Sequence, residues 1–203
     1  MLPAGIIIMA LTNPPDSLQA HELLLAQAAP DLVRIGDTKY PNPVHWSKLG
    51  YNRFDSPEAP YGIFYTAEDF EAALIEVFGD DWVTTRRFEE SELRQFKIYT
   101  IRLKKRFRVV DLTGEGLARA GTDANICTSP EYTITQKWAI AFMQHRQEPQ
   151  GLRYHSRHNP KKFNYALFGT EGVKGCLEVK SEMWILEHPK LYTILDKYGV
   201  AQV

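Results

Sequence analysis

Two cysteines in 203 residues, Cys127 and Cys176, make neither a disulfide framework nor a zinc cluster. Such sparing use fits a reducing compartment, so a cytoplasmic protein is expected. An excess of charge of one sign is also missing. With 24 Lys+Arg against 25 Asp+Glu the formal net charge is −1, and a nucleic-acid-binding role has no electrostatic footprint. The one basic run, KKRFR at 104–108, follows the alternating FKIYTIRL and reads as the solvated end of a strand. Long hydrophobic runs are absent too. The opening MLPAGIIIMAL is apolar over only seven residues from Gly5 and has no basic leader. It is far too short to span a bilayer, so neither export nor a membrane anchor is expected. Motif chemistry is equally thin, with no G-x-S-x-G, P-loop, G-x-G-x-x-G or H-E-x-x-H. In HSRH, His155 and His158 face opposite sides of a strand with no carboxylate or cysteine cluster near them, so no metal is expected.

What is present is an ordinary globular composition, long enough for one sizeable core. DSLQAHELLLAQ from Asp16 has the pattern of a capped amphipathic helix, and DLVRIG at 31–36 that of a short strand. Residues 37–62 form a long irregular stretch rich in Pro, Gly and Asn. A loop of that length inside a domain is usually functional, and its aromatics (Tyr40, Trp46, Tyr51, Phe54, Tyr61) argue against disorder. Strands are expected near 95–103 and 107–112, and a short helix near 115–120. A helix capped by Ser129 with Pro130 at its first position should bury Ile134, Trp138, Ala141 and Phe142. LRYHS, YALFG and CLEV read as later strands, and HPKLYTILDKYG as a closing helix. Nothing repeats and no second domain is visible. The expected organisation is one domain over 1–203, with an N-terminal helical segment (1–30), a core region (31–170) and a C-terminal strand and helix (171–203). Helices and strands mix without a βαβ rhythm, which favours α+β over a doubly wound sheet.

One short stretch stands apart. AALIEVF, 72–78, carries a single charge, Glu76, in a segment otherwise fit for a core. Gly62 to Tyr65 reads as the strand before it, with Ile63 and Tyr65 facing one way and Phe64 the other. Thr66 is the expected N-cap, Asp69 the reciprocal capping residue and Gly79 the C-cap. Phe70, Ala73, Leu74, Val77 and Phe78 form the apolar stripe. The acids of the first turn answer the helix dipole, but Glu76 lies two turns in, on the flank of the stripe and beside small residues. The plain reading is a boundary glutamate paired with an arginine. The sharper one is a carboxylate kept for a ligand.

Other isolated polar residues sit on apolar elements: Arg34 in LVRIG, Arg53 in NRFD, Tyr65, Ser156 and Arg157 at the end of LRYHSR, and Asn164 opening NYALFG. Each alone reads as a structural pair or cap. Arg34, Arg53, Tyr65, Glu76 and Ser156 together hold two guanidiniums, a ring, a carboxylate and a hydroxyl. Guanidiniums match phosphate geometry, a ring stacks on a heterocycle, and a carboxylate binds ribose or faces a growing positive charge. Those are the needs of a nucleotide whose glycosidic bond is broken.

The order VRIGD…NRFDSPEAPYGIFYTAEDFEAALIEVFGD…GLRYHSRHNPKKFNYALFG resembles the RES domain, named for its Arg, Glu and Ser, over roughly residues 31–170. The resemblance implies an ADP-ribosyltransferase-like fold of short, mostly antiparallel strands flanked by helices. It implies the toxin of a bacterial toxin–antitoxin pair that destroys NAD⁺ by phosphorolysis or hydrolysis, with an Xre-type antitoxin blocking the site. NAD⁺ is then a substrate, inorganic phosphate a co-substrate, and no bound cofactor is required. Carried over by position, the catalytic set is Glu76, Arg53 and Ser156. The NAD⁺ and phosphate contacts are Arg34, Arg53, Tyr65, Ser156 and Asn164, with Tyr65 stacking on nicotinamide and Ser156 positioning a ribose hydroxyl or phosphate oxygen. Two alternatives stand beside this: an ADP-ribosyltransferase acting on a protein or a small phosphorylated acceptor, and a catalytically silent nucleotide- or antitoxin-binding module.

Overall fold

The computed structural model describes residues 10–203, so most of the N-terminal apolar run lies outside the described residues. Ten strands follow in chain order: β1 (Leu25–Gln27), β2 (Asp31–Asp37), β3 (Ile63–Ala67), β4 (Arg87–Phe88), β5 (Phe96–Leu103), β6 (Arg108–Leu112), β7 (Gly151–His155), β8 (Phe163–Phe168), β9 (Leu177–Trp184) and β10 (Ala201–Gln202). The helices are α1 (Phe70–Thr85), α2 (Glu90–Leu93), α3 (Glu115–Ala120), α4 (Asn125–Thr128), α5 (Tyr132–Met143), α6 (Glu171–Lys174) and α7 (Leu191–Lys197). Eight strands make one sheet in the order β1-β6-β7-β8-β3-β2-β5-β9. All its ladders are antiparallel except β6–β7, whose parallel pairing requires the crossover through α3, α4 and α5. The fold is α+β with a mostly antiparallel sheet, as expected from the sequence.

Strand alternation assigns the layers. Ile63 and Tyr65 of β3 meet Leu152, Ala166 and Phe168, and α5 covers that cluster with Trp138 and Phe142. Phe64 turns to the opposite face with Leu32, Ile101 and Leu167. Ala67 shares the parity of Ile63 but belongs to a third cluster, with Ile35 and Ile98 under α1 and α7. Burying a side chain of the Phe142 class is worth about 1.5–3 kcal/mol. The two helix-covered clusters therefore anchor α5 and α1 on one face of the sheet, with a trough between them.

The ladder between β2 and β3 is reduced to one register pair, Val33 with Ala67. Each strand pairs fully on its other side, β2 with β5 and β3 with β8. The sheet thus splays at its centre, next to the trough.

Several local expectations are corrected. DSLQAHELLLAQ is not an amphipathic helix. Asp16–Ala20 makes a single 3-10 turn, and Leu25–Gln27 becomes β1 against Val110, Val109 and Arg108. Tertiary ties override the helical pattern, because the Trp138 indole donates to the Thr12 carbonyl (2.7 Å) and Leu23 N–H donates to Gln147 (2.8 Å). Thr66 stays in β3, and α1 is capped by Asp69, whose Oδ1 accepts from Ala72 N–H (2.8 Å). Gly79 does not end α1. The helix runs to Thr85 and closes on Arg86 in the left-handed region (φ 56°). A Cβ at position 79 would stand 2.5 Å from His158 Cδ2, so this glycine makes room for a neighbour. Val77, expected in the stripe, is exposed, while Ala72, Ile75 and Trp82 are buried. Helix α5 starts at Tyr132 with Glu131 at its N-cap, and Ser129 Oγ instead accepts from Glu131 N–H within the preceding turn (3.0 Å). Its buried face is Thr135, Trp138, Ala139, Phe142 and Met143, so Ile134 and Ala141 sit at the margin.

Candidate active site

The trough between α1 and α5 is a cleft of about 480 Å³. Its floor is Val33 and Ile35 of β2, Tyr65 and Ala67 of β3, Tyr154 of β7 and Asn164 of β8. One wall is α1, through Ala73, Glu76, Val77 and Asp80. The facing wall is the 37–62 loop with Tyr132 at the start of α5, and Arg157 and His158 close one end. A site this size suits a small ligand with several charges to match.

The long loop is fixed by one buried carboxylate. Asp55 accepts from Ser47 Oγ (2.7 Å), Gly50 N–H (3.1 Å), Asn52 N–H (3.0 Å) and the Tyr65 hydroxyl (3.2 Å). Tyr65 Oη also accepts from Phe54 N–H (3.0 Å). Burial pushes the Tyr65 phenol well above its ordinary value, with Asp55 adding to the shift. Tyr65 is therefore tied to the loop by its hydroxyl, while its ring lines the cleft.

With Asp55 so occupied, Arg53 is not the partner of a loop salt bridge. Its Nη1 donates to the Ser129 carbonyl (2.5 Å), its guanidinium lies 5.0 Å over the Tyr132 ring, and Thr135 Oγ1 donates to its carbonyl (2.5 Å). Arg34 occupies the splay between β2 and β3. Its Nη1 donates to the Tyr65 carbonyl (2.7 Å) in place of the missing ladder, and its guanidinium lies 5.1 Å from the Phe64 centroid. Burial lowers Arg34 to about 10, and its Nε is buried without a partner. Neither arginine has a carboxylate at ion-pair distance among the described residues.

Glu76 opens to solvent along the cleft, yet protein crowds its carboxylate from several sides. That crowding raises its pKa above 4.5, against the pull of Arg53, His158, the Asn164 hydrogen bond and Arg157. Asn164 is buried and donates Nδ2 to Glu76 Oε2 at 2.6 Å, leaving its own Oδ1 without a partner. The arginine pairing expected of a boundary glutamate is not made, since no arginine is at ion-pair distance from Glu76 among the described residues.

Of the expected set, Arg34, Arg53, Tyr65, Glu76 and Asn164 all line the cleft. Ser156 does not. It is 2 % exposed, between Tyr154 and Arg157 in sequence, with its Oγ buried and unpartnered. The structure adds residues that sequence reasoning left out of the site: Arg157, His158, Asp80, Tyr132 and Tyr154. Arg157 donates Nη2 to Asp80 Oδ1, and His158 Nε2 lies 2.9 Å from the same oxygen. The signal that could have found them is the close packing of Gly79 on His158, which only a helical glycine hints at. Cys127 also lines the cleft, but burial pushes its thiol up to about 12, which disfavours the thiolate a nucleophile needs.

Among the described residues no group of His, Cys, Asp or Glu is placed to hold a metal ion, and no helix is long and apolar enough to cross a membrane. No curated protein matches the chain. The family model described as RES domain matches residues 31–186. A chain of the crystal structure of the M. tuberculosis MbcT–MbcA toxin–antitoxin complex superposes with a TM-score of 0.55 at 17 % identity, covering 90 % of this chain and 98 % of that one. At that identity the likeness speaks to the fold.

Proposed function

This chain belongs to the RES-domain family, and from that premise we propose that it cleaves the nicotinamide–ribose bond of NAD⁺, with inorganic phosphate as the favoured acceptor and water as the lesser one. The observation that carries this reading is Glu76. It is a crowded carboxylate on the wall of a cleft, steadied by Asn164, with the guanidiniums of Arg34 and Arg53, which have no carboxylate at ion-pair distance among the described residues, on the surrounding elements. As nicotinamide leaves, positive charge grows at the anomeric carbon of its ribose. A fixed anion there favours the transition state over the ground state. Nicotinamide departs as a neutral molecule, so no general acid is needed and one carboxylate is enough. Asp80, the other acid at this wall, is engaged by Arg157 and His158.

The remaining groups divide the dinucleotide between them. Arg34, which lines the cleft from the splay of the sheet, suits the diphosphate. Arg53 faces Glu76 across the cleft and suits a phosphate or ribose oxygen. The ring of Tyr65 offers a surface for the departing nicotinamide. Ser156 reaches the ligand only if its buried, unpartnered Oγ turns into the cleft.

Within this reading the protein is a toxin held in check by a protein antitoxin of Xre type that covers the cleft. Support comes from the family, from the complex in which the structural neighbour was solved, and from the exposed Leu49 and Tyr51 in the loop that carries Arg53. The test is incubation of pure protein with NAD⁺, with and without phosphate, and identification of products by liquid chromatography and mass spectrometry. ADP-ribose-1″-phosphate with phosphate, and ADP-ribose without it, is the expected result. Label ending on a macromolecule would move the reading to a transferase, and intact NAD⁺ would end it.

A further inference from the structure

Arg157 and His158 tie the segment after β7 to α1, and the tie places both at the edge of the cleft. They leave the end of β7 and turn back over α1, and both line the cleft. The His158 ring is packed so closely on the helix that only glycine fits at position 79, one turn from Glu76. That contact sets two positively charged or chargeable groups beside the Glu76 carboxylate, where both act on it electrostatically. Their shared partner is Asp80 Oδ1. The Asp80 side chain is 71 % exposed and that of Arg157 39 %. An ion pair so open to water contributes little and is readily exchanged for a stronger partner. Arg34 lies elsewhere, in the splay of β2 and β3, bonded to Tyr65.

We infer that Arg157, with His158 beside it, is the binding site for the incoming inorganic phosphate, separate from the part of the cleft where Arg34 meets the dinucleotide. The inference rests on the NAD⁺-cleaving reading above and names the residues that select the acceptor. With substrate absent, Asp80 parks the guanidinium. A phosphate dianion, offering two oxygens to the planar fork, draws Arg157 from Asp80. The phosphate then stands next to Glu76 and the anomeric carbon. One phosphate oxygen forms the new carbon–oxygen bond. The carbon–nitrogen bond breaks with its electron pair passing to the pyridinium nitrogen, which leaves as neutral nicotinamide. The product is the 1″-phosphate monoester, which loses its remaining acidic proton to solvent. Nothing is oxidised or reduced.

The test varies phosphate at saturating NAD⁺, and NAD⁺ at saturating phosphate, for wild type, Arg157→Gln, Arg157→Lys and Asp80→Asn. Losing the fork should raise the KM for phosphate about 10-fold or more in Arg157→Gln and shift product from ADP-ribose-1″-phosphate toward ADP-ribose. The KM for NAD⁺ should move less than about 2-fold, and Arg157→Lys should fall between the two. Asp80→Asn should lower the KM for phosphate, because the parking partner is gone. If Arg157→Gln melts early, Arg157→Lys and Asp80→Asn carry the test, and their opposite shifts remain the expected result. An unchanged KM for phosphate in a stable Arg157 variant overturns the inference, as does an equal rise in both KM values. Wild-type cleavage that ignores phosphate also overturns it, yet leaves NAD⁺ cleavage standing. A wild-type protein that leaves NAD⁺ intact removes the parent reading and this one with it.

Discussion

Two polar clusters lie in this fold and end in opposite states. At Asp111 and Arg153 everything closes. Asp111 Oδ1 accepts from Thr113 Oγ1 (2.6 Å) and Arg153 Nε (3.2 Å), Oδ2 accepts from Arg153 Nη2 (2.5 Å), and the guanidinium covers the Phe163 ring at 4.8 Å. In the cleft the valences stay open. Of seven buried side-chain atoms without a partner among the described residues, three belong to cleft residues Arg34, Thr66 and Asn164, and a fourth to adjoining Ser156. Buried polar groups in folded proteins are nearly always paired. The contrast teaches that a matched fork holds strands together, while the unmatched groups gather in and beside the wall of one cavity.

The largest effect should come from Glu76. Glu76→Gln keeps the shape and can still accept from Asn164, so the substitution removes charge and little else. Turnover of NAD⁺ should fall about 10²–10³-fold. Stability should not fall with it. The folded-state pKa of Glu76 is raised, so what the group adds to stability is present at low pH and is lost as pH rises through that value. At neutral pH the charged form adds nothing to the fold, and the melting temperature of Glu76→Gln should equal or exceed wild type. Turnover within a few-fold of wild type would return Glu76 to the ranks of boundary residues and erase the contrast between the clusters.

The next effect is on pH. Because crowding raises Glu76, the acid limb of wild-type turnover should lie above the ordinary carboxylate value of 4.5. Asn164→Asp would set a second carboxylate where the amide now stands 2.6 Å from Glu76. Two carboxylates so close cannot both ionise freely, and one must titrate upward. The acid limb should move toward higher pH by at least about one unit. A pH–rate profile that superposes on wild type would show that Asn164 does not hold the working carboxylate.

How far the sequence showed this contrast depends on the range of each interaction. Period-two alternation placed β3, β5, β6, β7 and β8 within a residue or two, because it needs only neighbours. Arg34, Arg53, Tyr65 and Glu76 stood out because each interrupts an apolar or aromatic run. Where distant partners decided, local reading failed. Leu23 and Leu25 looked helical until strand β6 and the 138–147 region claimed that segment. Gly79 looked like a helix end because its neighbour, His158, is 79 residues away. Arg157 looked like the end of a strand because Asp80, 77 positions earlier, is its partner. Asp111 and Arg153 were invisible for the same reason, at a separation of 42.

A smaller effect separates Arg53 from Arg153, two arginines with aromatic faces and different duties. Arg53→Lys keeps the charge and loses the planar fork. It also loses the bond to the Ser129 carbonyl and the contact with Tyr132. A loss of about 1 kcal/mol in stability is expected, with the KM for NAD⁺ or phosphate raised about 10-fold. Melting temperature and steady-state kinetics on one preparation decide the matter. Normal kinetics on a less stable protein would place Arg53 with Arg153, as a fastener of the loop.

The smallest expected effect on activity is the control on the other cluster. Asp111→Asn preserves the shape of the side chain but strips the charge from the fork. The Arg153 side chain is 24 % exposed, so water can partly solvate the guanidinium left behind, and the penalty should be milder than for a fully buried pair. A loss of about 1–3 kcal/mol is expected, which in a chain of this size lowers the melting temperature by roughly 2–4 °C per kcal/mol. Turnover per folded molecule should stay within about 2-fold of wild type, since Asp111 meets none of the cleft residues through its hydrogen bonds. Thermal melts and kinetics below the transition test both halves. If turnover drops while the melt is unchanged, Asp111 reaches the cleft through β7, where Arg153 is next to Tyr154 and after which the loop bearing Arg157 begins. The two clusters would then be one network, and satisfied hydrogen bonding would no longer separate scaffold from site in this fold.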